Sequence, residues 1–162
     1  APDCMKARLA LPSDEDAFVA LARQAHEESL PHVPYSEAKV RATFHRYLTT
    51  AHPTITVAVG SDGTLSGFAS QTISEYPSGD GLYTTLEVTF VRPDKRGSRA
   101  AALLLRWFVA WSDGLGALES TGGNDNSLHS ERTSKFLSRF GFETVGYFMR
   151  RKGAAIGKEG RI

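Results

Sequence analysis

The sequence predicts a mixed α/β domain, and three observations carry that reading. Apolar residues recur at helical spacing up to Leu48 and then switch to strict alternation at Thr54. The elements fall in the order β-α-α-β-β-β-α-β-α-β, which lacks the regular alternation of a doubly wound sheet and implies a mixed sheet with helices on it. The length, 162 residues, is that of one ordinary domain. No internal repeat or linker divides the chain. Residues 1–152 therefore read as one domain, and residues 153–162, with glycines and alanines among charges, as a frayed tail.

Each element has a local reason. Met5–Ala10 alternates weakly and reads as a first strand. Ser13 can cap a helix whose first turn carries Asp14, Glu15 and Asp16, where acids favour the positive end of the dipole; Phe18, Leu21 and Ala25 continue its apolar stripe to Ser29. Pro31 and Pro34 break the chain, and Ser36-Glu37 opens a second helix with Val40, Phe44, Tyr47 and Leu48 on one side. Thr54–Val59 and Thr64–Glu75, joined by Gly60-Ser-Asp-Gly63, form a hairpin. Leu82–Val91 is a further strand rich in Thr, Val and aromatic residues. The Ala/Leu-rich run Ala100–Trp111 is a helix ending near Asp113-Gly114, and Gly116–Thr121 is a short strand. Ser130–Arg139 is a last helix stopped by Gly141 as a left-handed cap, and Phe142–Arg151 is expected to be a last strand.

Composition excludes several classes. Apolar residues at 41% and charged residues at 23% are globular proportions, which argues against global disorder. Nineteen Lys and Arg oppose eighteen Asp and Glu, too even a balance for a surface that binds nucleic acid throughout. A single cysteine, Cys4, leaves no intramolecular disulfide and no cysteine-rich zinc site. His26, His32, His45, His52 and His129 make no metal-like pair on one helix face, so no metal is expected. The apolar run Ala100–Leu105 is far too short to cross a bilayer, and no signal-peptide pattern is present; a cytoplasmic address is the default.

The segment Leu86–Leu105 carries the chemistry. A strand runs through the basic turn Arg92-Pro-Asp-Lys-Arg-Gly-Ser-Arg99 into the start of a helix. The first amides of a helix lack partners and the dipole adds partial positive charge, which makes an anion site. Arg92, Lys95, Arg96 and Arg99 add cations against Asp94 alone, a composition suited to a pyrophosphate. The stretch is neither a Walker loop, since no Gly-Lys-Ser/Thr follows, nor a three-glycine dinucleotide fingerprint.

Val91, Pro93 and Arg96-Gly97-Ser98-Arg99-Ala100-Ala101 resemble the acyl-CoA signature of the GNAT superfamily of N-acetyltransferases, Arg/Gln-x-x-Gly-x-Gly/Ala after a Val-x-Pro strand end. The frame is departed from at Arg99, which stands at the first glycine position; a positive φ there would cost an arginine roughly 1 kcal/mol or more. Met5–Asp16 is similar to that family's opening strand and helix cap, and Phe136–Phe142 to its last helix ending in Gly-Phe, so the resemblance covers residues 5–151. It implies a mixed, mostly antiparallel central sheet of about six or seven strands with helices on both faces. It also implies acetyl-CoA as co-substrate and direct transfer of the acetyl group to an amine in a ternary complex. Phe90 and Val91 would then contact the pantetheine, the Val91 N–H would polarise the thioester carbonyl, and the amides of Arg96, Gly97, Ser98, Arg99, Ala100 and Ala101 would hold the pyrophosphate.

Such a reaction needs a base more than an acid. A lysine-like amine titrates near ~10.4, so freeing it at pH 7 costs roughly 4–5 kcal/mol, whereas releasing a thiolate of pKa ~8.5 costs only about 2 kcal/mol more than releasing the thiol. Glu87, four residues before Val91, is the candidate base; its other reading is an edge carboxylate paired with Arg or Lys. The family's usual acid, a tyrosine four residues before the Gly of Gly-Phe, is replaced by Leu137, which leaves Tyr147, Ser134 or water. Ser130 aligns with the family's asparagine in the same helix, and Asn124 and Asn126 are alternative pantetheine contacts or turn residues.

The acceptor site is expected from the first two helices, their connection His26–Tyr35, and the loop Glu75–Leu82, with Glu27, Glu28 and Glu75 able to attract a cation. The amine itself, a small molecule or a peptide, is left open. Trp107, Phe108 and Trp111 read as core or as a dimer face, and dimers are frequent in the resembled family, so a homodimer is open as well. His129 near the loop is a further catalytic candidate, but no Gly-x-Ser-x-Gly elbow supports a hydrolase built from Asp125, His129 and a serine. Two other classes remain: a domain that binds an acyl-CoA without turnover, which the missing tyrosine suggests, and a module that holds nucleic-acid phosphates with Arg92–Arg99.

Overall fold

The computed structural model describes residues 4–50, 52, 54–123 and 130–153. Strand β1 (Lys6–Leu9) leads through a 3₁₀ turn at Pro12–Asp14 into α1 (Glu15–Ser29), followed by α2 (Glu37–Leu48). Strands β2 (Ile55–Val59), β3 (Leu65–Glu75) and β4 (Leu82–Val91) follow, then α3 (Ala100–Gly114), β5 (Glu119–Gly122) and α4 (Ser130–Ser138). The five strands form one sheet in chain order, antiparallel from β1 to β4 and parallel between β4 and β5.

The start of α1 differs from the expected Ser13 cap. Asp14 accepts the Leu11 N–H at 2.7 Å and is clasped by both Arg8 guanidinium nitrogens at 2.7 and 3.1 Å. A carboxylate reaching back three residues ties the end of β1 to the turn, so helical geometry begins only at Glu15. Arg8 holds the Asp14 carboxyl below its ordinary value, with the Leu11 amide adding to the effect against the opposing cost of burial. The cap of α2 is as expected: Ser36 Oγ accepts the Lys39 N–H at 3.3 Å. Gly141 takes φ +87° after α4, the left-handed stop the sequence requires.

Helices cover both faces of the sheet. On one, Phe18, Val19 and Leu21 of α1 and Phe44 of α2 pack on Ile55, Val57, Phe68 and Phe90. On the other, Ala100, Leu104, Leu105 and Phe108 of α3, with Leu137 of α4, pack on Met5, Ala58, Ala69 and Leu86. Small residues on the second face let α3 lie close to the strands. Phe108 is fully buried there, with Trp107 and Trp111 half-buried on the flank of α3.

Two expectations are corrected. The sheet has five strands rather than six or seven among the described residues. The missing one is Phe142–Arg151, which pairs with no strand among those residues and leaves Val145, Tyr147, Phe148 and Met149 at least 80% exposed. Strand-forming side chains alone do not make a strand: β1 and β5 each keep a side with no partner among the described residues, and this segment joins neither.

Candidate active site

The site forms where β4 leaves its neighbour. β4 pairs with β5 only from Tyr83–Glu119 to Leu86–Gly122, so its last five residues have no partner on that side among the described residues. On its other side it stays paired with β3 up to Gly67–Val91. The Arg92 N–H donates to Ser66 O at 2.8 Å. Antiparallel alternation then directs the N–H groups of Val91 and Thr89 to the open edge. The close approach of β3 and β4 here depends on Gly67, where a Cβ would lie 2.5 Å from the Phe90 carbonyl oxygen.

A bulge fixes the orientation of the candidate base. Ser70 pairs with Val88 and Gln71 with Leu86, which leaves Glu87 as the extra residue of β4. Leu86 lies on the α3 face, whereas Glu87 and Val88 both reach a cavity on the α1/α2 face. Without the bulge, neighbours on a strand would point to opposite faces. The cavity has a volume of about 340 Å³ and lies between α1, α2 and the strands β2 to β4. Glu87 pairs with no Arg or Lys among the described residues; instead Tyr47 Oη of α2 donates to its Oε2 at 3.2 Å. Burial pushes the Tyr47 hydroxyl above its usual range, and the adjacent Glu87 carboxylate pushes it further, so it remains a donor through neutral pH.

The turn after β4 supplies the anion site. A 3₁₀ turn at Pro93–Lys95 and a positive φ of +83° at Gly97 carry the chain into α3. The amides of Arg96 and Ser98 are used inside the turn, on Pro93 O and Lys95 O, and Ala100 N–H meets Ser98 Oγ. The N–H groups of Gly97, Arg99, Ala101 and Ala102 have no acceptor among the described residues. Arg99 has φ −76°, so the departure from glycine at this position costs no backbone strain. Arg92 is held by Asp94, and Arg96 by Glu28 of α1 at 2.6 Å and by the Val91 carbonyl at 3.1 Å, over the Phe90 ring. Arg99 makes no ion pair among the described residues.

The remaining sequence candidates fall into three groups. Phe90 is buried in the α1/α2-face core and Val91 is half-buried against the other. Leu137 is buried against α3, Ser134 donates to Ser130 O within α4, and Tyr147 is 94% exposed and does not line the Glu87 cavity. Asn124, Asp125, Asn126 and His129 lie outside the described residues. Of the acids proposed to attract an amine, Glu28 faces the anion turn rather than the cavity, and Glu27 and Glu75 are exposed and do not line it. His26 does line it, but its Nε2 is engaged by Val33 O at 2.6 Å. Tyr47 is the residue the sequence did not single out for function: it occupies a core-stripe position of α2, and nothing local ties it to a carboxylate forty residues on. The described residues hold no cluster of potential metal ligands and no helix long and apolar enough to cross a membrane.

No protein-family model matches the chain, and no curated protein matches it in sequence. Solved structures do match in fold. The aminoglycoside N-acetyltransferase AAC(6')-Iy in complex with CoA superposes with a TM-score of 0.75 at 20% identity, over 95% of this chain and 97% of that one. Glucosamine-6-phosphate N-acetyltransferase from Arabidopsis thaliana gives 0.74 at 16% identity, over 91% and 97%. A protein from Bacillus halodurans C-125 described as a transcriptional regulator gives 0.76 at 15% identity, over 92% and 99%. The chain therefore has the GNAT fold, which it shares with the two acetyltransferases.

Proposed function

We propose that the protein is an acetyl-CoA-dependent N-acetyltransferase. The observation that carries this reading is the pairing of two features on one strand: an open edge at Val91 beside four unengaged amides, and a carboxylate turned by a bulge into a cavity. The amides of Gly97, Arg99, Ala101 and Ala102 suit a diphosphate, with Arg99 as a further cation. The edge of β4 suits an extended amide-bearing chain such as pantetheine.

Acetyl-CoA, when bound, supplies the thioester carbonyl that an amine attacks. Glu87 then has the part of base, taking a proton from the ammonium directly or through water, so that the nitrogen lone pair is free to form the new C–N bond. The Val91 N–H donates to the carbonyl oxygen as negative charge builds there. The C–S bond then breaks with its electron pair on the sulfur, and the second proton of the attacking nitrogen passes to water as the amide forms. No tyrosine stands at position 137 to protonate the sulfur, and water serves, since a thiolate is stable enough to leave unaided near neutral pH.

The test is release of thiol from acetyl-CoA with a panel of amines, beside calorimetric binding of acetyl-CoA. Micromolar binding with amine-dependent thiol release is expected. Glu87→Gln should lower kcat by about 10²–10⁴-fold while leaving acetyl-CoA affinity unchanged. An unaltered kcat in that variant removes Glu87 as the base. A second reading, an acyl-CoA sensor without turnover, is favoured by Leu137 and by the outward Tyr147. It predicts the same binding with no thiol release for any amine. Tight binding of an oligonucleotide in place of acetyl-CoA would overturn both.

A further inference from the structure

We infer that the acceptor is a compact monoamine with an apolar body, and that the cavity selects against polycations. This rests on the acetyl-transfer reading and names the substrate class of the same site. The wall facing Glu87 is built from carbon: Phe18, Ala22, Leu30, Val40, Phe68 and Val88. Three of the polar side chains around it are turned to partners of their own, and the hydroxyls of Thr43 and Ser70 are the uncharged polar groups left to it. Ser29 Oγ donates to Ala25 O, His26 Nε2 meets Val33 O, and Tyr47 Oη is on Glu87. Among the described residues Glu87 is the single acid of the lining, and Lys39 is a cation in the same lining. One carboxylate satisfies one ammonium. A second or third ammonium on the same acceptor would meet either carbon, at the cost of losing its water, or the like charge of Lys39. The acids that polycation binding would require are elsewhere: Glu28 is spent on Arg96, and Glu27 does not line this cavity. The volume, about 340 Å³, sits at the small end of the ~300–1,000 Å³ range of ligand sites, which suits a single ring or a branched aliphatic group.

The experiment compares kcat/KM for phenethylamine and isoamylamine with that for spermidine and kanamycin, with acetyl-CoA saturating. Burial of one apolar group gives phenethylamine an expected advantage of about 10- to 100-fold over spermidine. Two variants sharpen the result. Ala25→Phe places a ring in the cavity and should lower kcat/KM for phenethylamine about tenfold or more, with acetyl-CoA affinity retained as evidence of folding. Thr43→Glu adds a second acid to the wall and should raise kcat/KM for spermidine several-fold relative to wild type. A wild-type preference for spermidine or kanamycin, or indifference of phenethylamine turnover to Ala25→Phe, overturns the inference. A separate measurement isolates it from the catalytic reading: amide chemical-shift changes on titrating phenethylamine into the protein. Shifts at Ala25 and Val88 without any thiol release would leave the ligand class standing and remove the transferase. Thiol release with other amines but no shifts there would do the reverse.

Discussion

The two faces of the sheet are built from the same strands but end in different states. On the α3 face, Ala58, Ala69 and Leu86 meet Ala100, Leu104, Leu105 and Phe108, and the layer is closed. On the α1/α2 face, the rings of Phe18, Phe44 and Phe68 pack against one another over β2 and β3, Phe18 lying 5.1 Å from Phe44 and 4.9 Å from Phe68 between centroids. Towards β4 that layer stays open, and the opening coincides with the bulge at Glu87. The difference teaches where stability and chemistry separate. Alternation along β2 and β3 feeds both cores, and one inserted residue in β4 breaks the alternation where a carboxylate is wanted.

The largest expected effect falls on the closed face. Phe108 is fully buried between α3 and the sheet, so Phe108→Ala leaves a cavity that its close-packed neighbours cannot fill. A loss of about 3–5 kcal/mol is expected in urea unfolding. A loss below about 1 kcal/mol would show that this face repacks around the deleted ring. Next comes the line where the two faces share a backbone contact. Gly67→Ala puts a Cβ 2.5 Å from the Phe90 carbonyl oxygen and 3.2 Å from the Val91 Cα. β4 has to move, at a cost of about 1–3 kcal/mol, and since Val91 moves with it, acetyl-CoA affinity should fall as well. A stable variant with wild-type affinity would mean that the spacing of β3 and β4 does not set the edge.

A smaller effect belongs to the entry of α1, which carries the open face. Removing the Asp14 carboxylate, in Asp14→Ala, frees the Leu11 amide and Arg8 and should cost about 1–2 kcal/mol at neutral pH. The folded state holds this carboxyl below its ordinary value of 3.8, chiefly through Arg8. The unfolded chain therefore takes up the proton first as pH falls. The contribution is complete above that ordinary value and is lost as pH drops through the lower folded one. Wild type and variant should differ by a constant amount between about pH 5 and 7, begin to approach each other as pH falls through the ordinary value of 3.8, and coincide only below the lower folded value. A difference that persists into acid would assign the effect to packing rather than to charge.

The same two faces explain what could be read in the sequence. Period-two alternation in β2 and β3 and the stripes of α1, α2 and α3 each report burial against one sheet, so those elements lay close to their expected bounds. The anion turn was legible because amides and glycine act locally: Gly97 takes the positive φ within a few residues of where the chain needs it. Three features were not legible, for one reason, that each depends on a distant partner. Asp14 outcompetes Ser13 because Arg8 is there to hold it. Phe142–Arg151 has the composition of a strand but pairs with none of the described strands. Tyr47 has the periodicity of a core residue, and only the bulge in β4 brings Glu87 to its hydroxyl.

That last contact gives the smallest expected effect. Tyr47→Phe keeps the ring against the α1/α2 core and removes one hydrogen bond, so unfolding stability should change by less than about 1 kcal/mol. If Tyr47 orients Glu87 toward the amine, kcat should fall by about three- to tenfold while KM for the amine stays near its wild-type value, because a misdirected base slows proton removal without emptying the cavity. Were the hydroxyl only filling space, kcat would be unchanged. A rise in KM alone would instead make Tyr47 a binding contact of the acceptor. The bulge turns Glu87 toward the cavity but leaves its carboxylate free to rotate, and among the described residues the hydroxyl across from it on α2 is the group that limits that rotation.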